Sequence, residues 1–235
     1  MLALLWMIYL MVVSAMMFSS LSGARVISSS VSRPASQEAL VLIMCGVALL
    51  WPALRLCQAV PLTGIVNASL RDAVVIVIPL TAVLWPHRLI VLGGWTNEVL
   101  LALTAHGAAW VVLVSGAIAL SLVCVSVSRR PALVRSVAAA LIVICVLGVP
   151  VIELVSEVGV RMDERSAHLG WMLSPVTGVL EITRDRSVLG PAAQVSGTHF
   201  QIIGGVACLG VALHFAALAL HRAVPLVGRS GAPYA

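Results

Sequence analysis

The sequence predicts an all-α protein, a polytopic transmembrane helix bundle of about six spans with a short re-entrant or interfacial helix before the last span. Hydrophobic residues make up 61% of the 235 residues and charged residues 10%, and the mean hydropathy is +1.11. Soluble domains average roughly 45–50% apolar and about 25% charged residues. Uncharged runs of about twenty residues, the length of helix that crosses a bilayer, recur along the chain. We therefore expect a single transmembrane domain over residues 1–235, embedded in a lipid bilayer.

The longest apolar run extends from Val99 to Val127 and is followed directly by Arg129, Arg130 and Arg135. A helix satisfies every backbone N–H and C=O internally where no water is present, so this run is predicted to cross the membrane as a helix. Arginine at the bilayer centre costs a few kcal/mol, and clustered arginines in a short loop mark the cytoplasmic side. The arginine cluster therefore places this loop in the cytoplasm.

Six spans are predicted in all, with polar loops between them. The first span is expected to be retained, because no basic n-region of a signal peptide precedes it. Ser19 to Gln37 is rich in Ser and Gly and predicts a polar loop, and Pro79 should kink the third span. The predicted spans are residues 1–18, 39–54, 73–92, 99–127, 136–152 and 200–220.

The distribution of arginine predicts the orientation. An even number of spans places both termini on one side of the membrane. With the termini inside, the cytoplasmic segments hold Arg55, Arg71, Arg129, Arg130, Arg135, Arg222 and Arg229, and the short outer loops hold Arg25, Arg33 and Arg88. This positive-inside bias predicts a multi-pass protein of the bacterial cytoplasmic (inner) membrane with both termini in the cytoplasm.

The residue types exclude several function classes. All fourteen basic residues are arginine, so the chain has no lysine for a Walker A phosphate loop, a Schiff base or a lysine general base. The formal charge of +5 lies mostly in loops, where it orients the protein, so no nucleic-acid partner is expected. The five cysteines lack CxxC spacing and no HExxH motif occurs, so we predict no metal site and no catalytic residue.

The long polar segment from Glu153 to Thr198 contains one apolar piece, Leu169 to Leu180. Twelve residues of helix rise only about 18 Å, well short of a hydrocarbon core of about 30 Å, so this piece cannot cross. Pro175 should break it, and Trp171 should lie at the headgroup level. We expect it to pack into the outer leaflet beside the last span.

Two histidines, His106 and His214, lie well inside apolar runs. Intramembrane ionisable residues are functional candidates, and two neutral imidazoles on neighbouring helices could ligate a b-type haem. Both helices run the same way, however, and the two residues differ by about 10 Å in depth at 1.5 Å per residue. We therefore expect hydrogen-bonded packing histidines and no cofactor, with haem b as the alternative.

Ser115-Gly116 in the fourth span is similar to the Ser-Gly of intramembrane serine proteases. The pattern of those enzymes is Gly-x-Ser-Gly, and Leu113 occupies the position of its first glycine. The sequence therefore predicts no serine protease site here.

The stretch from Arg55 to Asp72 is too polar for a span, and it predicts a short, partly helical cytoplasmic connector broken at Pro61. Together with six spans, inside termini and a re-entrant piece before the last span, this connector resembles type-2 ATP-binding-cassette (ABC-2) exporter permeases. Two segments carry the resemblance. They are Val60-Pro61-Leu62-Thr63, similar to the proline segment after the second span, and Leu173-Ser174-Pro175-Val176-Thr177, similar to the proline-centred segment before the last span. The resemblance covers roughly Ala39 to Arg222.

The resemblance implies a permease subunit of an ABC-type exporter, energised by a separate ATPase subunit and paired with a second permease copy or paralogue. It implies that the connector docks on the ATPase through Arg55, Pro61, Leu62, Arg71 and Asp72. It also implies that the re-entrant element lines the outer exit of the substrate path through Trp171, Pro175, Val176 and Val179. The alternative is a non-catalytic integral membrane subunit of a larger complex, such as a respiratory or haem-containing one.

Overall fold

A computed structural model describes residues 2–22, 29–61, 64–156, 168–185 and 193–223, and for 29–31, 153, 154 and 156 it describes the backbone only. The described part of the chain is built of α-helices, with short π-helical and 3-10 segments between some of them. The α-helices are α1 (Leu2–Leu21), α2 (Ser29–Cys45), α3 (Trp51–Cys57), α4 (Ile65–Leu84), α5 (Asn97–Val127), α6 (Pro131–Ser156), α7 (Pro175–Thr183) and α8 (Gly197–Ala223). A π-helical segment, Gly46–Leu50, joins α2 to α3, and 3-10 segments cover Trp85–Arg88 and Leu169–Leu173.

Six helices among the described residues are long and apolar enough to cross a membrane. They correspond in order to the six predicted runs, so the predicted all-α polytopic bundle is confirmed. The chain is an integral membrane protein. The π-helical segment makes α2 and α3 one continuous span, and α7 lies between the last two spans without crossing.

The helices extend further into the polar segments than predicted. α2 begins at Ser29, inside the predicted first loop, and α4 begins at Ile65, inside the predicted connector. Only residues 58–64 separate α3 from α4. Polar side chains can lengthen helices where they find partners, and Arg55 of α3 lies 3.0 Å from Asp72 of α4 in an ion pair.

α5 is the central helix and packs against α4, α6, α7 and α8. Its closest neighbour is α8, because two glycines meet where the helices cross. A Cβ atom on Gly116 would lie 2.6 Å from the carbonyl oxygen of Gly210, and a Cβ atom on Gly210 would lie 2.6 Å from the backbone nitrogen of Leu113. Small residues let two membrane helices approach backbone to backbone, which is how this pair is held without a hydrophobic driving force.

α1 lies at the edge of the bundle against α2 and α4. Trp6 donates a hydrogen bond of 3.2 Å from Nε1 to the carbonyl of Ile76 in α4, three residues before Pro79. Gly46 begins the π-helical segment opposite α1, and a side chain there would overlap the ring of Tyr9. The absence of a side chain at Gly46 therefore lets α1 pack closely on the second span.

The bundle has two chemically different ends. The end that carries α7, residues 168–173 and the turn 89–96 is called the α7 end. The opposite end carries residues 58–61, 64 and 128–130 and is called the connector end. These names are independent of which end faces the cytoplasm.

Candidate functional site

The predicted re-entrant piece, Leu169 to Leu180, is interrupted at Pro175, where the sequence predicts a break. Residues Leu169–Leu173 form a 3-10 segment, and α7 starts immediately after Ser174 with Pro175 in its first turn. The hydroxyl of Ser174 accepts a hydrogen bond of 3.2 Å from the backbone N–H of Val176. A proline without an N–H and a serine cap are the usual start of a helix, so one predicted piece becomes two.

α7 lies inside the bundle, packed on three other helices, whereas the sequence predicted packing beside the last span only. It packs against α2, α5 and α6, and Val179 is 2% exposed within the hydrophobic core. The last span, which was the predicted partner, contacts the preceding 3-10 segment and meets α7 through His199, whose ring lies 3.6 Å from Glu181. Trp171 and Val176 are half-buried and Pro175 is buried. The physical reason is that α7 also carries polar residues, which lipid cannot satisfy.

Hydroxyl groups supply part of that satisfaction. Ser174 donates a hydrogen bond of 2.8 Å to the carbonyl of Val146 in α6. Thr183 donates one of 2.8 Å to the carbonyl of Val179, and Thr177 donates one of 2.7 Å to the carbonyl of Trp171. The hydroxyl groups of Ser174, Thr177 and Thr183 thus all donate hydrogen bonds to carbonyl groups of the protein.

The first turns of α2, predicted as loop, hold the other side of α7. The amide of Gln37 donates hydrogen bonds of 3.2 and 3.1 Å to the carbonyl and hydroxyl of Thr183. Arg33, 7% exposed, forms an ion pair with Asp185 and donates a hydrogen bond of 2.8 Å to the carbonyl of Gly93. Arg33 therefore joins three parts of the α7 end: α2, the 89–96 turn and Asp185, two residues after the end of α7.

A buried carboxylate of α7 lies beside a buried histidine of α8. Glu181 of α7 and His199 of α8 are both fully buried, with 3.6 Å between Oε1 and Nε2. The backbone N–H of Ser196 donates to Nδ1 of His199 over 3.2 Å, so Nδ1 is the acceptor and the ring proton is on Nε2, facing Glu181. The backbone N–H of His168 also donates to Glu181 over 3.1 Å.

Ser196, His199 and Glu181 are the residue types of a hydrolase catalytic triad. Ser196, however, precedes the first residue of α8, and His199 accepts its N–H as the third residue of a capping box does. The distance of 3.6 Å between His199 and Glu181 is also too long for the orienting hydrogen bond of a triad. The three residues therefore form a helix cap that is tied to a buried carboxylate.

His106 of α5 lies directly against α7. It is 1% exposed, and a Cβ atom on Gly178 would lie 2.5 Å from Cε1 and Nε2 of the ring. The carbonyls of Pro175 and Ser174 lie near the ring, but neither ring nitrogen meets hydrogen-bond geometry with any described residue. His106 thus packs on α7, and the hydrogen bonds predicted for it are not formed with any residue that the structure describes.

His214 of α8 lies elsewhere and is hydrogen-bonded. Its Nδ1 is 2.8 Å from the carbonyl of Gly210, and its Nε2 is 3.2 Å from the hydroxyl of Ser115. His106 precedes Ser115 by nine residues of α5, or about 13 Å along the helix. A haem iron needs both axial ligands in direct contact, so the arrangement gives no support to a haem bound between His106 and His214.

The contact between Ser115 and His214 was not predicted. Ser115 is fully buried and donates a hydrogen bond of 2.9 Å to the carbonyl of Ser69. It lies in the middle of the continuous helix α5, whose backbone N–H groups are used by the helix itself and cannot form an oxyanion hole. We interpret the pair as a polar contact that fixes α4, α5 and α8 together.

The residues of the predicted connector fall into two groups. Arg55 and Asp72 neutralise each other in their ion pair. Arg71 is exposed on α4 and Pro61 is half-buried. Leu62 lies outside the described residues, so of the five predicted docking residues Pro61 and Arg71 remain available to a partner.

Comparisons with known proteins assign no family to this chain. No family model, no curated protein and no solved structure matches the chain.

Proposed function

We propose that this chain is the membrane-embedded permease subunit of an ABC-type exporter, energised by a separate ATPase subunit. It works beside a second permease copy or paralogue in the bacterial inner membrane, with both termini in the cytoplasm. The observation that carries the proposal is α7, a short helix that lies inside the bundle between the last two spans without crossing. A passive membrane anchor has no need of such an element.

The physical argument concerns the backbone of residues 168–185. A chain that turns back within a bundle exposes helix ends and non-helical backbone, which membrane proteins tolerate only where the protein or a water-filled path satisfies them. Transporters place such broken elements at their substrate paths. Fully buried Glu181 and His199 at the same place support this assignment, since buried ionisable groups in membranes are costly and usually functional.

The connector end supports an ATPase partner through its shape and charge. Only seven residues separate α3 from α4, and the ion pair of Arg55 and Asp72 ties the two helices to each other. A subunit bound at this end can therefore transmit force into α3 and α4 together. Exposed Arg71 provides a charge for that subunit to pair with.

Purification of the tagged full chain from its own host tests this proposal. We expect an ATPase subunit to copurify in fixed ratio, and Arg71→Glu to lower its yield at least about tenfold, since a like charge at an interface costs more than about 1.4 kcal/mol. Arg88→Glu is the matched control, because Arg88 is exposed at the α7 end. A chain that purifies without an ATPase, or with a Soret band in its absorption spectrum, would contradict the permease assignment.

Orientation is tested independently by thiol labelling in intact cells. In a background without the five natural cysteines, an impermeant reagent should modify Ser187→Cys and leave Ser128→Cys unmodified. The reverse pattern would place the connector end outside, where no ATPase could reach it.

A further inference from the structure

A groove runs between α1 and α4 on the membrane-facing side of the bundle. Its main part has a volume of about 520 Å³ and is lined by Met7, Ser14, Phe18, Pro79 and Val83 among others. A smaller part of about 240 Å³ shares Ser14, Phe18 and Val83 and adds His87 of the 3-10 segment after α4. We call the two parts together the α1/α4 groove.

The helices themselves explain why the groove exists. The hydrogen bond from Trp6 to Ile76 fixes α1 to α4 below the groove. Beyond this contact, Ala15 and Ala82 face the gap with methyl groups only, and Pro79 has no N–H to offer. The walls are therefore almost wholly apolar, and the groove opens to the lipid.

The length of the groove matches one leaflet. From Met7 to Phe18, α1 advances eleven residues, or about 17 Å at 1.5 Å per residue. Half of a hydrocarbon core is about 15 Å thick. An acyl chain of a lipid in the leaflet at the α7 end would therefore fill the groove lengthwise.

The α7 end of the groove carries an unsatisfied polar side chain. His87 is 3% exposed, and its Nδ1 lies 3.0 Å from the carbonyl of Val83 and 3.2 Å from that of Leu84. A carbonyl only accepts hydrogen bonds, so Nδ1 carries the proton. Burial favours the neutral form of the ring, in which Nε2 is a hydrogen-bond acceptor. That nitrogen has no partner in the described part of the chain.

A second unsatisfied group lies beside the first. The indole of Trp95 stacks on His87 with 5.9 Å between ring centroids and 18° between planes. Its Nε1–H is a buried donor that likewise has no partner among the described residues. A buried polar group without a partner costs about 1–3 kcal/mol. Trp95 lines neither part of the groove, so His87 is the one of the two that can meet a ligand there, and its unpaired acceptor favours a ligand with a donor.

We propose that the α1/α4 groove binds one acyl chain of a glycerophospholipid whose headgroup donates a hydrogen bond to Nε2 of His87. The apolar walls select a chain, and His87 selects a headgroup that has a hydrogen-bond donor. The proposal does not depend on the permease assignment, because it requires only that α1 and α4 lie in a bilayer.

Headgroup selectivity of the wild-type chain is the first test. Native mass spectrometry of the detergent-purified full chain is titrated with dioleoylphosphatidylethanolamine and with dioleoylphosphatidylcholine, which differ only by N-methylation of the headgroup. Only the first carries a donor, so we expect it to bind about fivefold more tightly, the value of one net hydrogen bond. Equal affinities would overturn the proposed role of His87.

Conservative variants then separate the two rings. His87→Phe and Trp95→Phe keep a stacked aromatic pair and remove one polar group each. His87→Phe should abolish the preference for the N–H headgroup, and Trp95→Phe is the matched control, which should leave the preference unchanged because Trp95 does not line the groove. A preference that survives His87→Phe would contradict the assignment.

A groove-filling variant tests the acyl-chain site itself. Ala82→Phe should lower the affinity for the ethanolamine lipid at least about fivefold, because the ring occupies the space of the chain. Ala140→Phe, on the exposed face of α6, is the matched control and should leave it unchanged. Equal effects of the two variants would indicate ordinary annular lipid, and a second copy of the chain covering α1 without bound lipid would also overturn the proposal.

Discussion

The most apolar 18-residue stretches of α5 and α6 have nearly identical mean hydropathies, 2.4 and 2.5. Yet 61% of the residues in the stretch of α5 are buried, against 6% in that of α6. One is the centre of the bundle and the other faces its surroundings along most of its length. Hydropathy therefore identifies which segments cross a membrane but does not rank them by their place in the bundle. Lipid is as apolar as leucine, so an apolar side chain gains little by moving from lipid into protein.

What distinguishes the two helices is the presence of small and polar residues that contact neighbouring helices. α5 carries Gly116 against α8, Ser115 against α4 and α8, and His106 against α7. α6 has Gly148, where a methyl group added to the backbone would meet nothing within 4 Å among the described residues. The difference teaches that close backbone approach and polar pairing, rather than apolar content, hold this bundle together.

The largest effect should come from adding side chains at these glycines. Gly210→Val places a branched side chain against the backbone of α5 and should cost about 3 kcal/mol or more, because two helices must separate. Gly148→Val on α6 should change stability by less than about 0.5 kcal/mol. Unfolding in mixed detergent micelles with increasing dodecyl sulfate measures both, and equal losses would remove the distinction between the helices.

A smaller loss is expected when an isoleucine is shortened on each helix. Ile118 of α5 is 0% exposed and Ile144 of α6 is 63% exposed. Ile118→Ala should cost about 2 kcal/mol through the cavity that remains, and Ile144→Ala should cost almost nothing because lipid fills the space. The same micelle titration applies. A large loss for Ile144→Ala would show that another protein chain covers α6.

The contact of α5 with α7 can be tested by one methyl group. Gly178→Ala pushes against the ring of His106 and should cost about 1–2 kcal/mol, with α7 displaced. Gly204→Ala on α8 is the control, since its added methyl group meets nothing within 4 Å among the described residues. Protease sensitivity of residues 168–185 should rise only in Gly178→Ala. Unchanged cleavage would mean that α7 is held by its hydrogen bonds alone.

The smallest effect concerns the polar layer at the α7 end. Arg33→Gln removes the ion pair with Asp185, whose side chain is 37% exposed, so solvent screens much of the interaction. We expect a loss of about 1 kcal/mol, mostly from the hydrogen bonds to the 89–96 turn. Arg88→Gln, at an exposed arginine of the same end, should have no measurable effect in the same titration. Equal stabilities of the two variants would show that Arg33 does not hold α7.

The spans, their order and the break at Pro175 could be predicted because each depends on residues that are close together in the sequence. Apolar length gives the spans, and Pro175 after Ser174 gives the helix start. The polar pairs could not be predicted, because their members are far apart in the chain. Ser115 and His214 are 99 residues apart, and nothing near Arg33 in the sequence indicates that Asp185 will lie beside it. The interior position of α7 follows from such pairs, so it too was missed.

The ion pair between Arg33 and Asp185 has a consequence for the order of assembly during synthesis. The two residues are 152 positions apart, and a ribosome adding about 5–20 residues per second needs on the order of 8–30 s to cover that interval. During this time α2 is already in the membrane while the carboxylate that neutralises Arg33 has not been made. The α7 end can therefore close only after Asp185 has been made, and a chain released earlier would hold Arg33 without its carboxylate.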